Sequence, residues 1–409
     1  MNDMQQEMRE ELLTHIVPFW LSLKDEENGG FYGYKGFDLT LDPMAVKGCI
    51  LNSRILWFFS EVSRLCGRQD CLEAAEHAFR FMQAHFVDSE CGGVYWSVRY
   101  DGQPEDDSKH TYNQAFAIYG LSAYYRVSKN EEALELALRL FDVIEGRMRD
   151  EGGYLEAFDR QFRPVSNEKL SENGVLAERT MNTLLHVMEA YTELYRVSGK
   201  PEVKACLEEM LSIMLEKIFI PSKGRLGVFF DHDYNSLIDL YSYGHDIEAA
   251  WLTDRAAEVL GDPGWTERVS VMTKVLEDSV YAEAYMAGNA LENSIYGEAY
   301  VAGKEPATAQ THSLPAECEN GVVLPTRVWW VQAEAVNGFY KAWQKRPEKT
   351  EFLEAARAVW SFIKEYQIDR REGSEWFNEL APDGTPDPAM PIANPWKCPY
   401  HNGRMCMEV

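Results

Sequence analysis

Two histidines stand in unusual company: His245 in Ser-Tyr-Gly-His-Asp-Ile-Glu-Ala-Ala-Trp (242–251) and His401 in Pro-Trp-Lys-Cys-Pro-Tyr-His-Asn-Gly-Arg (395–404). Imidazole is the side chain whose ordinary pKa suits proton transfer near neutrality. A lone histidine on an apolar helix face is usually a packing residue, but two among carboxylate, arginine and tryptophan neighbours point to acid/base chemistry on a sugar. Glu248 lies three residues after His245, so on a helix the two share a face and the carboxylate is expected at one imidazole nitrogen. His186 and Glu189 repeat that spacing. Two His-x-x-Glu pairs also raise a metal site, yet di-iron bundles use the order Glu-x-x-His with further glutamates, so no metal is expected. Cys398 and Cys406 flank His401 and leave a thiol role open.

Composition narrows the partners. Lys plus Arg number 40 against 66 Asp plus Glu, a formal charge of −26, which repels nucleic acid and anionic membrane and fits a neutral small-molecule substrate. The start, Met-Asn-Asp-Met-Gln-Gln-Glu-Met-Arg-Glu, lacks the basic and apolar regions of a signal peptide, and no apolar run reaches the roughly 20 residues of a membrane span. Eight cysteines fall singly, without Cys-x-x-Cys, as expected of a reduced cytoplasmic chain with no zinc site. Neither a Gly-x-x-x-x-Gly-Lys-Ser/Thr phosphate loop nor a Gly-x-Ser-x-Gly nucleophile motif occurs.

Those residues must be positioned by something, and an internal repeat supplies it. A Gly-aromatic signature recurs at Gly29-Gly30-Phe31-Tyr32, Gly92-Gly93-Val94-Tyr95-Trp96, Gly152-Gly153-Tyr154, Gly227-Val228-Phe229-Phe230 and Gly373-Ser374-Glu375-Trp376-Phe377, with a degenerate sixth copy expected near Gly288-Asn289-Ala290-Leu291. These read as tight turns leading into short strands. Between them the apolar spacing predicts paired helices at about 4–22, 45–66, 70–86, 110–128, 130–148, 176–198, 201–218, 243–260, 265–284, 327–344, 350–368 and a short last one from about 399. Odd-numbered helices are amphipathic and even-numbered ones apolar nearly all round. Twelve helices in six pairs predict an all-α chain, an (α/α)6 barrel with short β-hairpins in its connecting loops, forming one catalytic domain over residues 1–409. The stretch 286–326 lacks helical period and reads as a connection or lid.

Polar residues gather where the even-numbered helices begin: Arg54, His110 with Tyr112 and Asn113, Asn182 with His186, His245 with Glu248, Trp330 with Glu334, and His401 with Arg404. In such a barrel these ends converge on one mouth. Trp57 and Trp251 read as core aromatics, whereas Trp396, between Pro395 and Pro399 outside any helix, suits stacking on a sugar ring.

The strings Glu27-Asn28-Gly29-Gly30-Phe31-Tyr32-Gly33-Tyr34, Lys109-His110-Thr111-Tyr112-Asn113-Gln114, Lys169-Leu170-Ser171-Glu172-Asn173, Arg327-Val328-Trp329-Trp330-Val331-Gln332-Ala333-Glu334 and Trp396-Lys397-Cys398-Pro399-Tyr400-His401-Asn402-Gly403-Arg404 carry a resemblance over nearly the whole chain. It resembles the N-acylglucosamine 2-epimerases, and within them the cellobiose 2-epimerases. The resemblance implies an (α/α)6 barrel that inverts C2 of the reducing-end glucose in β-1,4-linked disaccharides such as cellobiose and lactose, without cofactor. It implies that His245 and His401 are the acid/base pair, that Glu248 and Glu334 support them, and that Arg54 and His186 surround the C1 and C2 oxygens. It further implies sugar contacts from Tyr112, Asn182, Trp330 and Trp396; Asn113, Trp329 and Arg404, near the same helix starts, are expected to contact substrate too, and a monomer is expected. The 286–326 connection is longer than the family's usual one. Both histidines can act from opposite sides, or one can act twice after rotation about C2–C3. Rival readings are N-acylglucosamine epimerisation or aldose–ketose isomerisation of a monosaccharide, a glycoside hydrolase with two opposed carboxylates, and a noncatalytic sugar-binding protein.

Overall fold

The structure is a computed structural model and describes residues 3–170, 172–286 and 312–409. Counting a helix that runs on through a π turn as one, the described residues hold twelve helices. These are α1 (Asp3–Glu11, continuing to Val17–Ser22), α2 (Cys49–Cys66), α3 (Gln69–Phe81, then Met82–Phe86) and α4 (Thr111–Ser128). They continue as α5 (Glu131–Arg147), α6 (Met181–Ser198), α7 (Pro201–Ile213, then Met214–Ile218) and α8 (Tyr243–Leu260). The last four are α9 (Pro263–Val280, then Tyr281–Met286), α10 (Trp329–Lys345), α11 (Thr350–Phe362, then Ile363–Gln367) and α12 (His401–Glu408).

The even-numbered helices close a ring: α2 packs on α4, α4 on α6, α6 on α8, α8 on α10, α10 on α12, and α12 back on α2. The odd-numbered helices lie outside, each against an inner neighbour, with α1 reaching the last inner helix, α12. This is the (α/α)6 barrel expected from the repeat. Helices α2, α6 and α8 stop at Gly67, Gly199 and Gly261, whose positive φ angles of 67°, 62° and 69° form the left-handed cap. Pro201 and Pro263 then open α7 and α9 in the first turn, where a missing N–H leaves no bond unmade.

A two-residue strand precedes five of the six inner helices and pairs antiparallel with a strand from a later segment. Lys47–Gly48 meets Ser97–Val98, Lys109–His110 meets Ala157–Phe158, and Arg179–Thr180 meets Phe229–Phe230. Leu240–Tyr241 pairs with Glu317–Glu319, and Arg327–Val328 with Glu379–Leu380. The first N–H of an inner helix continues four of these pairings: Cys49 N donates to Trp96 O, Thr111 N to Glu156 O, Met181 N to Val228 O and Trp329 N to Asn378 O, all at 2.9–3.0 Å. Inner-helix N-termini are thereby held at one end of the barrel.

A buried cation on an aspartate reinforces three of these junctions, two of the pairs fully buried and the third with Asp150 partly exposed. The cation two residues ahead of the inner helix, Lys47, Lys109 or Arg179, meets Asp25, Asp88 or Asp150 at 2.7, 3.1 and 2.6 Å. The same aspartates accept backbone N–H groups of the Gly-aromatic turn, as Asp88 Oδ1 does from Glu90 and Cys91. One carboxylate thus shapes the turn and ties the next helix. Residues 287–311, including the sixth signature copy expected at Gly288, lie outside the described residues. Within the described part of that connection, which lacks helical period as read, Glu317–Glu319 and Val322–Leu324 form a hairpin.

Both members of the Asp88–Lys109 pair have fully buried side chains. Removing one partner strands the other charge, so Asp88→Ala is expected to lower unfolding free energy by about 3–5 kcal/mol in chemical denaturation. Glu76→Ala, which breaks a largely exposed pair with Arg80, should change it by less than about 1 kcal/mol. Equal, small effects of both would contradict this account of the junction.

Candidate active site

The inner-helix N-termini surround a cavity of about 540 Å³, within the range of small-molecule sites. Arg54 from α2, Tyr112 from α4, Asn182 and His186 from α6, His245 from α8, Trp329 and Trp330 from α10, and His401 from α12 all line it. Trp396 stands at its mouth, 41% exposed. Six segments, from Arg54 at one extreme to His401 at the other, therefore meet as the repeat requires. Thr180, Phe229, Asn378 and Lys397 also line the cavity, though sequence reasoning singled out none of them. The strand-before-helix rule points to Thr180, the last residue ahead of α6.

Four expected site residues lie beneath the cavity or beside it rather than on its wall. Asn113 turns away from the cavity, and its amide donates to Tyr95 O at 2.9 Å, so it straps α4 to a neighbouring turn. Arg404 is buried under the floor, where its guanidinium bonds Glu189 Oε1 at 2.6 Å, Glu334 Oε1 at 2.7 Å and Glu248 Oε1. Glu248 and Glu334 are correspondingly drawn to Arg404, below the cavity wall. His110, another helix-start residue, packs on Trp96 with ring centres 4.6 Å apart and is not on the cavity wall.

The expected pairing of His245 with Glu248 is also corrected. His245 Nδ1 meets Ser242 Oγ at 2.7 Å, while Glu248 points to Arg404. Attraction to a buried guanidinium outweighs the shared helix face. His401 Nδ1 instead meets Glu334 Oε1 at 2.8 Å, and Glu334 Oε2 accepts the Trp251 indole N–H at 3.0 Å. His186 Nδ1 meets Glu189 Oε2 at 2.9 Å, as its spacing predicts. An ionised carboxylate only accepts, so His401 and His186 carry their protons on Nδ1 and keep an Nε2 lone pair.

Electrostatics keeps these rings uncharged. Burial pushes His245 down to about 3, and neighbouring His186 adds to the shift. Burial, with Arg404 and Arg54 nearby, holds His401 well below the ordinary imidazole value. Burial opposes ionisation of Glu189, yet Arg404, His186 and Tyr400 together pull it down to about 2. Burial and the adjacent Glu334 push Glu248 up to about 8. Burial raises Glu334 as well, against three hydrogen-bond donors that favour its ionised form, whereas Glu248 Oε2 has no hydrogen-bond partner among the described residues. Glu248, Glu334 and His401 bring potential ligand atoms within 4.8 Å of one another, but the cation seated on both carboxylates is Arg404.

Arg54 has the opposite character. Its guanidinium is buried against the faces of Phe116 and Tyr400, 4.1 and 4.7 Å from the ring centres, and donates to Tyr112 Oη at 2.7 Å. Among the described residues no carboxylate pairs with it. A buried cation bonded only to neutral groups suits an oxyanion that forms during reaction. Trp330 lies between the two imidazoles, with centroids 4.7 Å from His245 and 5.4 Å from His401. Gly244 permits this, since a Cβ there would sit 2.5 Å from the Trp330 ring.

Residues 30–402 match the family described as N-acylglucosamine 2-epimerase (GlcNAc 2-epimerase). The chain belongs to the N-acylglucosamine 2-epimerase family. Within it, the cellobiose 2-epimerase of Ruminococcus albus is 48% identical over 403 residues, 98% of this chain and 97% of that protein. Among solved epimerase structures, a sugar epimerase from a ruminal bacterium superposes with a TM-score of 0.92 at 48% identity, covering 99% of this chain and 98% of its own. The cellobiose 2-epimerase of Bacillus thermoamylovorans gives 0.91 at 43% identity, covering 100% and 99%. No helix of the described residues is long and apolar enough to cross a membrane.

A base is active in its neutral form, and that form is lost only as pH falls through the lowered pKa values. For an epimerisable sugar, kcat/KM is expected to stay level from neutrality through 6.5 and to turn down well below it. An acid-limb midpoint at 6.5 or higher would contradict the electrostatics.

Proposed function

We propose that this member of the family epimerises C2 of the reducing-end glucose in β-1,4-linked disaccharides, cellobiose to glucosylmannose and lactose to its epimer, without a cofactor. The observation that carries the reading is a pair of neutral imidazoles, one backed by a carboxylate, opening onto one cavity beside a guanidinium that no carboxylate among the described residues neutralises. Relatives 40–48% identical over nearly the full chain, named cellobiose 2-epimerase, support the substrate class.

After ring opening, C2 bears a hydrogen next to an aldehyde. His401 Nε2 removes it, and the C2–H electron pair becomes the enediolate, whose charge falls beside Arg54. The new imidazolium is stabilised by Glu334. The enediolate charge draws a proton from water onto His245, which lacks a carboxylate partner at Nδ1 and so forms the stronger acid. His245 then protonates C2 from the opposite face, and His401 gives its proton to the hydroxide left by that water, so both rings end neutral. Tyr112, Asn182, Trp329, Trp330 and Trp396 hold the sugar, and His186, set by Glu189, supplies a further contact to its oxygens. The same reading takes residues 1–409 as one catalytic unit, a cytoplasmic monomer, supported by eight unpaired cysteines and the closed ring of helices.

Cellobiose incubated with the protein in heavy water should yield glucosylmannose carrying deuterium at C2, read by NMR. His401→Asn and His245→Asn should each lower kcat by about 10²–10⁴-fold. Glucose release, or epimerisation at a near wild-type rate by His401→Asn, would sink the assignment.

A further inference from the structure

The string Lys169-Leu170-Ser171-Glu172-Asn173 belongs to the connection into α6, and the acid/base chemistry leaves it unused. Its first and last residues, Lys169 and Asn173, reach two different sectors of the mouth. Lys169 Nζ bonds Asp106 Oδ2 at 2.8 Å and Ser108 Oγ at 3.2 Å, ahead of α4. The same ammonium lies 5.6 Å over the Trp96 ring, which in turn meets Trp396 edge-on with centroids 5.9 Å apart. Asn173 Nδ2 donates to Glu317 Oε1 at 2.9 Å and to Glu319 Oε2 at 2.8 Å, on the hairpin ahead of α10. Between the two ties, Leu170 lines the cavity, as Glu317 does.

The reacting end of the sugar needs Arg54, His245 and His401, which come from the helix N-termini themselves. The second ring must then extend toward the mouth, where Trp396 is exposed on one side and Leu170 is held on another. Apolar carbon on one side and an aromatic face on the other suit a pyranose ring. One amide holding two carboxylates is the tie that keeps Leu170 there, and charge-assisted hydrogen bonds of this kind are about twice as strong as neutral ones.

We propose that Asn173, by clasping Glu317 and Glu319, holds Leu170 as a wall of the subsite for the non-reducing sugar and so sets the affinity for a disaccharide. Asn173 acts as a positioning residue for specificity, and the inference rests on the disaccharide reading above. Its φ of 58° is left-handed, a conformation that Asn, Asp and Gly tolerate. Asn173→Asp keeps shape and backbone while turning the donor into an acceptor that faces two carboxylates.

The test compares wild type, Asn173→Asp, and Asn173→Asp combined with Glu317→Gln and Glu319→Gln, which returns donors to the clasp. Asn173→Asp should raise KM for cellobiose about tenfold, the worth of roughly 1.4 kcal/mol, with kcat unchanged. The triple variant should recover KM. Trypsin should cut after Lys169 faster in Asn173→Asp than in wild type, and cellobiose should slow that cut in wild type while glucose does not. An unchanged KM in Asn173→Asp, a loss confined to kcat, or a failure of the triple variant to recover overturns the clasp. A wild-type chain inert toward cellobiose instead overturns the disaccharide reading, and this inference with it.

Discussion

Three carboxylates from three inner helices converge on one guanidinium, and the catalytic end of the barrel depends on that knot. Arg404 of α12 holds Glu189 of α6, Glu248 of α8 and Glu334 of α10, all buried. Buried charges of this kind are tolerable only when each finds a partner. Two of the three then turn outward, Glu189 to His186 and Glu334 to His401. The knot therefore does two things together: it ties α6, α8 and α10 to the C-terminal helix, and it sets tautomer and direction for two imidazoles in the cavity. Tyr400 joins it through hydrogen bonds with both Glu189 and Arg404.

The scaffold makes such precision possible because the helix ends are held by backbone, not by loops alone. Four inner helices begin with an N–H donated to a carbonyl of a later turn, and three of these starts carry a buried cation on an aspartate that also shapes a turn. Side chains in the first turns of those helices are consequently fixed in height and azimuth around the barrel axis. Preorganisation of that kind lets Arg54 stay buried against Tyr112, Cys398 and aromatic faces, with no carboxylate partner among the described residues, ready for charge that develops in the reaction.

Most of the fold was legible in the sequence, and the reason is periodic. Apolar spacing and the Gly-aromatic turns repeat about every sixty to seventy-five residues, so helix pairs could be counted and their order around a ring inferred. Helix α8 was bounded correctly at 243–260, whereas α6 begins at Met181 rather than near 176 because Arg179–Thr180 is extended as a strand. The cavity wall was legible for the same reason, from polar residues at inner-helix starts. Pairing within the site was not. Spacing of three joins His186 to Glu189 yet fails for His245 and Glu248, because Arg404, 156 residues away in sequence, takes Glu248. Asn113 and Arg404 look like substrate contacts by position, but the rotation of each helix about its axis sends one to a backbone carbonyl and the other under the floor. Local spacing contains no information about that rotation.

The central claim is that burial holds His401 and His245 as neutral rings, and that Glu334, fixed by Arg404, keeps His401 protonated on Nδ1 and free at Nε2. Nitrogen-15 NMR of the histidine-labelled protein across pH reports charge and tautomer for each ring directly. The account predicts that neither ring titrates down to well below 6.5, and that His401 shows the Nδ1–H tautomer, which Arg404→Met disturbs. Titration of either ring near 6.5, or an Nε2–H tautomer at His401, would contradict it.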